Sequence, residues 1–326
     1  MNQDDFFETY NLTELEKGVS IENYTKKYKL NKNKEIVALN LSGINLNNFS
    51  SFDILINVEK LIVNNCKLEN IDNFINKCKK LTYLDACVNQ INEVSIENKN
   101  LKLEGLFLRK NNLKNLNFLN FLENLTKLDA CENQINEINL ENNNLKLKRL
   151  CLNSNKIPNL TFLNYISTLQ ELRITNNPLT SDLFSNLKCN NIIKSIDISC
   201  NKFLNLCFLS EFKNIEYLGL DSCDINDILL KSFPDLHKLK RLDINNNKIT
   251  KLTFLKNCKE IKRLDIGSNN ICSINEIRPY VNSLIFLSIY ENKQIEKELE
   301  RKLIYGENSH LDYIKEKISQ DNFNNK

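Results

Sequence analysis

The string LTYLDACVNQINEV at residues 81–94 returns as LTKLDACENQINEI at 125–138, 44 positions further on, with three substitutions. Few architectures can absorb such a copy. A globular core fixes each element through contacts scattered along the chain, whereas a stacked array touches only its neighbours and accepts a duplicated unit without rebuilding. The similarity runs on into NLKLEGLFLRKNNL against NLKLKRLCLNSNKI, so the duplicated block is two units of 22 residues.

Alignment on L-x-x-L-x-L-x-x-N-x-L gives twelve consecutive units, starting at Ile36, Val58, Leu81, Leu103, Leu125, Leu147, Leu169, Ile193, Ile215, Leu239, Ile261 and Leu284, with 22 to 24 residues between starts. That spacing is the spacing of a leucine-rich repeat, one short strand per unit. The expected fold is an α/β repeat solenoid, a leucine-rich repeat horseshoe with a concave parallel β-sheet. Its convex segments should be short helical turns or 3-10 pieces, because 22 residues leave no room for more.

Within LKRLDINNNKI at 239–249, Leu242 and Ile244 alternate with Arg241, Asp243 and Asn245. A period of two sends the aliphatics inward and the polar set outward. Asn247 sits where the chain leaves the strand, and its amide can satisfy backbone groups that a buried turn would orphan. The same column holds Asn89, Asn111, Asn133, Asn155, Asn177, Asn201, Asn269 and Asn292, with Cys66 and Cys223 replacing it in two units and Ile44 in the first.

Charge and composition narrow the function. Lys and Arg total 44 against 41 Asp and Glu, a net +3, so nothing draws the chain to a polyanion and no nucleic-acid partner is expected. The N-terminus MNQDDFFETYNLTELEKG has no signal-peptide pattern. No apolar run reaches the roughly 20 residues needed to span a bilayer, so no membrane insertion is expected. Both features suggest the cytoplasm, with the nucleus as the other compartment. Eleven cysteines, an odd number in a chain read as intracellular, suggest reduced, buried thiols.

Catalytic machinery is not visible. The six glycines form no phosphate-binding loop. There is no C-x-x-C pair, and His237 and His310 lie outside metal-ligand spacing and read as surface residues. Asp85 and Asp129 fall two strands apart on an open surface, which suits no acid–base pair. The expectation is a chain that is no enzyme, with no metal and no cofactor.

On the 22-residue string, residues 36–294 resemble the SDS22-like class of leucine-rich repeats. The class includes protein phosphatase 1 regulatory subunits, nuclear adaptors, dynein-associated proteins and bacterial internalins, and the resemblance implies a protein partner held on the concave sheet. In the phosphatase regulator the fifth position of successive repeats carries Asp, Phe, Glu, Phe; here it carries Asp85, Phe107, Asp129 and Cys151. The stretch FLSIYENKQIEKELERKLI at 286–304 resembles that family's C-terminal cap.

The resulting organisation is a helical N-terminal cap at 1–35 (Ile21, Tyr24, Tyr28, Leu30), twelve repeats at 36–294, a helical C-terminal cap at 295–318 and a disordered tail at 319–326. Ile295, Leu299, Leu303 and Ile304 supply the apolar face of that second cap. Outward positions three, five and seven nominate a protein-binding face: Tyr83, Asp85, Phe107, Arg109, Lys127, Asp129, Arg149, Cys151, Arg173 and Tyr217. Aromatics and arginines are the types enriched in hot spots. Gly105 should leave a gap beside Phe107 for a partner side chain. Arg241 with Asp243 and Arg263 with Asp265 should neutralise one another between neighbouring strands, and Tyr217, Phe286 and Tyr290 form a second aromatic group. The reading is a noncatalytic scaffold, monomeric by itself, with a phosphatase catalytic subunit as a narrower candidate partner. A secreted or surface adhesin or effector of the internalin type is the alternative class.

Overall fold

In the computed structural model, the described residues are 2–16, 18–97, 101–141, 145–184, 187, 192–299, 303 and 310–324. The chain divides into two compact units, one formed by residues 1–158 and 162–169 and the other by 159–161 and 170–326.

The first unit carries α1 (Gln3–Thr9) and strands β1 (Thr13–Glu14), β2 (Lys27–Leu30), β3 (Ile36–Asn40) and β4 (Lys60–Ile62). It continues with α2 (Asp72–Lys77), β5 (Tyr83–Asp85), β6 (Gly105–Phe107), β7 (Lys127–Asp129) and β8 (Arg149–Cys151). From β3 onward the strands pair in parallel at single-repeat register, so that Tyr83, Gly105, Lys127 and Arg149 form one row and Asp85, Phe107, Asp129 and Cys151 the next.

The second unit carries β9 (Glu171–Arg173), β10 (Ser195–Asp197), β11 (Tyr217–Gly219), α3 (Asp227–Leu230), β12 (Arg241–Asp243), β13 (Arg263–Asp265), β14 (Phe286–Ser288), α4 (Lys293–Glu298) and α5 (Leu311–Asn324). Its strands are parallel throughout. Between strands, single 3-10 turns such as Asn117–Phe121 in the first unit and Cys207–Glu211 in the second return the chain, as the repeat length requires. The fold is a leucine-rich repeat solenoid.

From β5 to β14 the middle residue of each strand points inward. Leu84, Leu106, Leu128 and Leu150 in the first unit are buried, as are Leu172, Ile196, Leu218, Leu242, Leu264 and Leu287 in the second. Burying one such side chain contributes about 2 kcal/mol. The asparagine column closes the turn behind them. Asn111 donates from Nδ2 to the carbonyls of Ala86 and Leu108, both at 3.0 Å, and accepts the Ile91 amide at 3.0 Å.

One residue earlier, each turn passes through left-handed backbone without glycine: Val88, Lys110, Glu132 and Ser154 in the first unit, Asn176, Cys200, Ser222, Asn246, Ser268 and Glu291 in the second. Such a conformation costs roughly 1–2 kcal/mol in a non-glycine residue, which the asparagine's hydrogen bonds offset. Cys66 and Cys223 keep half of the function. Their Sγ atoms donate to Leu41 O at 3.2 Å and Ile198 O at 3.6 Å, the carbonyl 25 residues back that Asn111 also reaches.

The ends differ from the sequence expectation. Residues 1–35 hold α1 and also two strands, with β2 antiparallel to β3 and the Phe7 ring stacked 3.8 Å from Tyr28. Lys27, Tyr28, Lys29 and Leu30 alternate too strictly for a helix face and instead extend the sheet edge. At the other end Ile295 and Leu303 are buried, while Ile304 lies outside the described residues. Residues 319–324, expected to be disordered, continue α5, whose Leu311 and Ile314 pack inward. His310, read as a surface residue, is 1% exposed: its amide donates to Leu287 O at 2.7 Å and its Nδ1 accepts the Ile289 amide at 2.9 Å. It satisfies backbone groups of the last strand that have no further repeat beside them.

Candidate functional site

On the open sheet face of the first unit, Tyr83 and Phe107 meet at a ring-centroid distance of 5.0 Å, and Lys60 Nζ sits 4.2 Å above the Tyr83 ring. Gly105 lies beneath them. A Cβ there would stand 3.3 Å from both rings, so the expected gap is filled by the protein's own aromatics: lacking a side chain, Gly105 lets its two neighbours lean together.

Beside the rings, Lys127 and Arg149 are exposed and adjacent in register. Arg109 is tied to Glu132, its Nε donating at 2.8 Å, and Lys110 adds a contact of 3.6 Å. Arg109 holds the Glu132 carboxyl below its usual range. Asp129 accepts the Cys131 amide at 3.0 Å and Asp85 the Cys87 amide at 3.3 Å, a local bond that sequence spacing did not reveal. Burial raises the Asp129 carboxyl despite that bond and pushes the Tyr83 hydroxyl up.

Cys131 and Cys151 form a disulfide across β7 and β8, with Cα atoms 5.8 Å apart. This corrects the reading of the cysteines as reduced, buried thiols: the eight other described ones are free, but of these Cys66, Cys78, Cys223 and Cys258 are buried, Cys87 is half-buried, and Cys200, Cys207 and Cys272 are exposed. The pair was visible in the register: Cys151 lies opposite Asp129, and Cys131 stands two residues beyond Asp129 on the same face. Cys78 keeps a buried thiol pushed up to about 12, as burial demands.

Part of this face is already covered by polypeptide. Ile21 packs on Ala38 and Ile62, which point outward from β3 and β4, with Leu15 and Tyr83 against the same cluster. Asn40 Nδ2 donates to Ile21 O at 3.1 Å, and Glu22 pairs with Lys60.

The open face of the second unit is organised differently. Arg173 pairs with Glu171 at 2.9 Å and Arg241 with Asp243 at 2.7 Å, each within its own strand. Neighbouring strands instead place like charges side by side, Arg241 by Arg263 and Asp243 by Asp265, so the expected cross-strand neutralisation runs along the strands. Arg241 and Arg263 also lie over Tyr217 and Phe286, at 5.1 and 4.6 Å from the ring centres. Tyr290 occupies the space above Gly267, where a Cβ would come within 2.1 Å of its ring.

Glu171, Arg173, Ser195, Asp197, Tyr217 and Arg241 line a shallow depression of about 420 Å³. Asp221 accepts the Asn245 amide at 2.6 Å, yet burial, with Asp243, Asp265 and Asp197 nearby, pushes its carboxyl up to about 6. Of the residues nominated from sequence, the first eight lie on the first unit, and Arg173 and Tyr217 on the second. The structure brings Tyr83 to Phe107 and Asp129 to Cys151.

Comparison with known proteins agrees on the fold. The family model of leucine-rich repeats in two copies matches residues 237–279. No curated protein matches the chain by sequence. An internalin (inlF) from Listeria monocytogenes is similar in structure, with a TM-score of 0.52 and 20% identity over 80% of this chain and 88% of that one. The LRIM1/APL1C complex gives 0.53 at 18% identity, over 85% of this chain and 56% of the other. The TLR13–ssRNA13 complex gives 0.54 at 21%, over 84% and 45%. These likenesses bear on the fold alone. Repeat pattern, sheet register and structural likeness together give the chain a leucine-rich repeat fold.

Proposed function

We propose that the chain is a noncatalytic interaction module that holds an extended segment of a partner protein against the open face of the first unit, over Tyr83, Phe107, Lys127 and Arg149. The observation that carries this reading is the chain's own N-terminal segment: Ile21 and Glu22 lie on that face through apolar packing of Ile21 on Ala38 and Ile62, a hydrogen bond from the Asn40 side chain to the Ile21 carbonyl, and an ion pair of Glu22 with Lys60. A partner segment continuing past Tyr83 meets an aromatic pair and then two exposed cations, which suits an acidic peptide with an apolar anchor. Affinity purification should recover a stoichiometric protein with the wild type and lose it with Phe107→Ala/Arg149→Ala, at unchanged circular dichroism. Retained capture by the double variant removes this surface from the function.

A narrower reading is favoured by the row Asp85, Phe107, Asp129: a regulatory subunit of protein phosphatase 1. Direct association with the phosphatase catalytic subunit at micromolar concentration is the expected result. Absence of association under those conditions rejects it.

A further inference from the structure

We propose that Asp129, Cys131 and Cys151 form a redox-gated site for a thiophilic divalent cation, closed while the two sulfurs are joined and open once they are reduced. This goes beyond the docking role and departs from the sequence expectation of no metal. The two Sγ atoms and a carboxylate oxygen lie within 4.8 Å of one another. The donors belong to adjacent strands and their exits: Asp129 and Cys151 stand opposite in the β7–β8 register, and Cys131 follows Asp129 by two residues on the same face. Donors mounted on packed strands hold their positions better than donors on loops.

The donor set fixes the class of ion. Two thiolates and one carboxylate suit Zn²⁺, which takes sulfur and oxygen in tetrahedral geometry, and three protein ligands leave a fourth position for water or a partner's side chain. With Zn–S bonds of about 2.3 Å, two ligating sulfurs lie roughly 3.8 Å apart. A Cα separation of 5.8 Å reaches that by side-chain rotation, without moving the strands. The Cys131 amide, donating to Asp129 Oδ1 at 3.0 Å, orients the carboxylate as outer-shell bonds do in established sites.

Opening the site takes a thiol or phosphine reductant. With a dithiol, a reductant thiolate attacks one sulfur, the Cys131–Cys151 bond breaks, two electrons pass to the protein, and the reductant leaves as its own disulfide. The cation then displaces the two thiol protons to solvent.

The full chain, oxidised or phosphine-reduced and desalted without oxygen, is titrated with zinc chloride in competition with a chromophoric chelator. Reduced wild type should take up one equivalent more than reduced Cys131→Ser/Cys151→Ser. Asp129→Asn should weaken that extra site at least tenfold, and the oxidised wild type should lack it. A second readout needs no variant: zinc should slow alkylation of Cys131 and Cys151 in the reduced wild type at least tenfold while leaving the exposed Cys200, Cys207 and Cys272 unaffected. Equal zinc uptake by wild type and the double variant, or equal alkylation with and without zinc, overturns the proposal and leaves the docking role untouched.

Discussion

The two units are each built on the same interior pattern and differ on their open faces. Behind the sheet, Asn133 in the first unit donates to Leu108 O at 2.9 Å and Ala130 O at 3.1 Å; in the second, Asn247 donates to Leu220 O at 2.9 Å and Ile244 O at 3.1 Å. In front of it, the second unit answers its own charges, with Arg241 on Asp243 and above Tyr217 and Arg263 above Phe286. The first unit gathers an aromatic pair, two exposed cations and a disulfide in a narrow strip. The repeat fixes what points inward, because each unit must fit its neighbours; it leaves positions three, five and seven free to diverge.

The most severe test of that common pattern is to replace the same column residue in both units. Asn133→Ala and Asn247→Ala each orphan buried backbone groups and remove the compensation for a left-handed turn, so each should cost about 3 kcal/mol. Urea denaturation checks it, and a difference between the two above about 1 kcal/mol breaks the comparison. Asn133→Cys should lose less than Asn133→Ala, because Cys66 and Cys223 show that a thiol reaches the distant carbonyl.

A somewhat smaller effect should be confined to one end. His310→Ala removes the acceptor of the Ile289 amide and leaves a void beside β14, at a cost of about 2 kcal/mol. Hydrogen exchange should quicken first at Ile289 and leave the first unit unchanged. Equal quickening in β5 to β8 contradicts a local role.

The twelve repeat strands were legible because a two-residue alternation inside a 22-residue period admits one register, and the burial of Leu84, Leu106, Leu242 and Leu264 follows from it. The face was legible only as a set of positions. That Tyr83 and Phe107 close over Gly105 depends on side chains leaning across strands, which a pattern of residue types does not encode. The Cys131–Cys151 pair needed the diagonal as well as the row. His310 was misread because a histidine in a polar tail gives no periodic signal, and its burial comes from the edge that the last strand would otherwise expose.

The open face of the second unit should also respond to pH. The Asp221 carboxyl stands at about 6 against an ordinary 3.8, so its ionised form is disfavoured in the folded second unit. The stabilisation tied to its protonation is therefore complete below the unfolded value and lost as pH rises through about 6. A shift of that size corresponds to at most about 3 kcal/mol, which solvent at the open face reduces to about 1 kcal/mol. Asp221→Asn keeps an oxygen to accept the Asn245 amide. It should be more stable than wild type at pH 7.5 by that amount and equal to it near pH 4. An unchanged difference between the two pH values shows that Asp221 titrates alike folded and unfolded.

The smallest expected effect separates one repeat of the first unit from others of the array. Val88 has φ 58°, and a β-branched residue tolerates that region worst. The equivalent positions Asn65, Asn176 and Asn246 carry asparagine, whose amide suits it. Val88→Asn should therefore stabilise the protein by about 0.5–1 kcal/mol, read as a rise in urea midpoint at constant m-value. Because Val88 is 46% exposed, little buried contact is lost to oppose the gain. A null or negative result means that contacts of the Val88 side chain outweigh its backbone strain, and the turn would then be as specific to its repeat as the open face is.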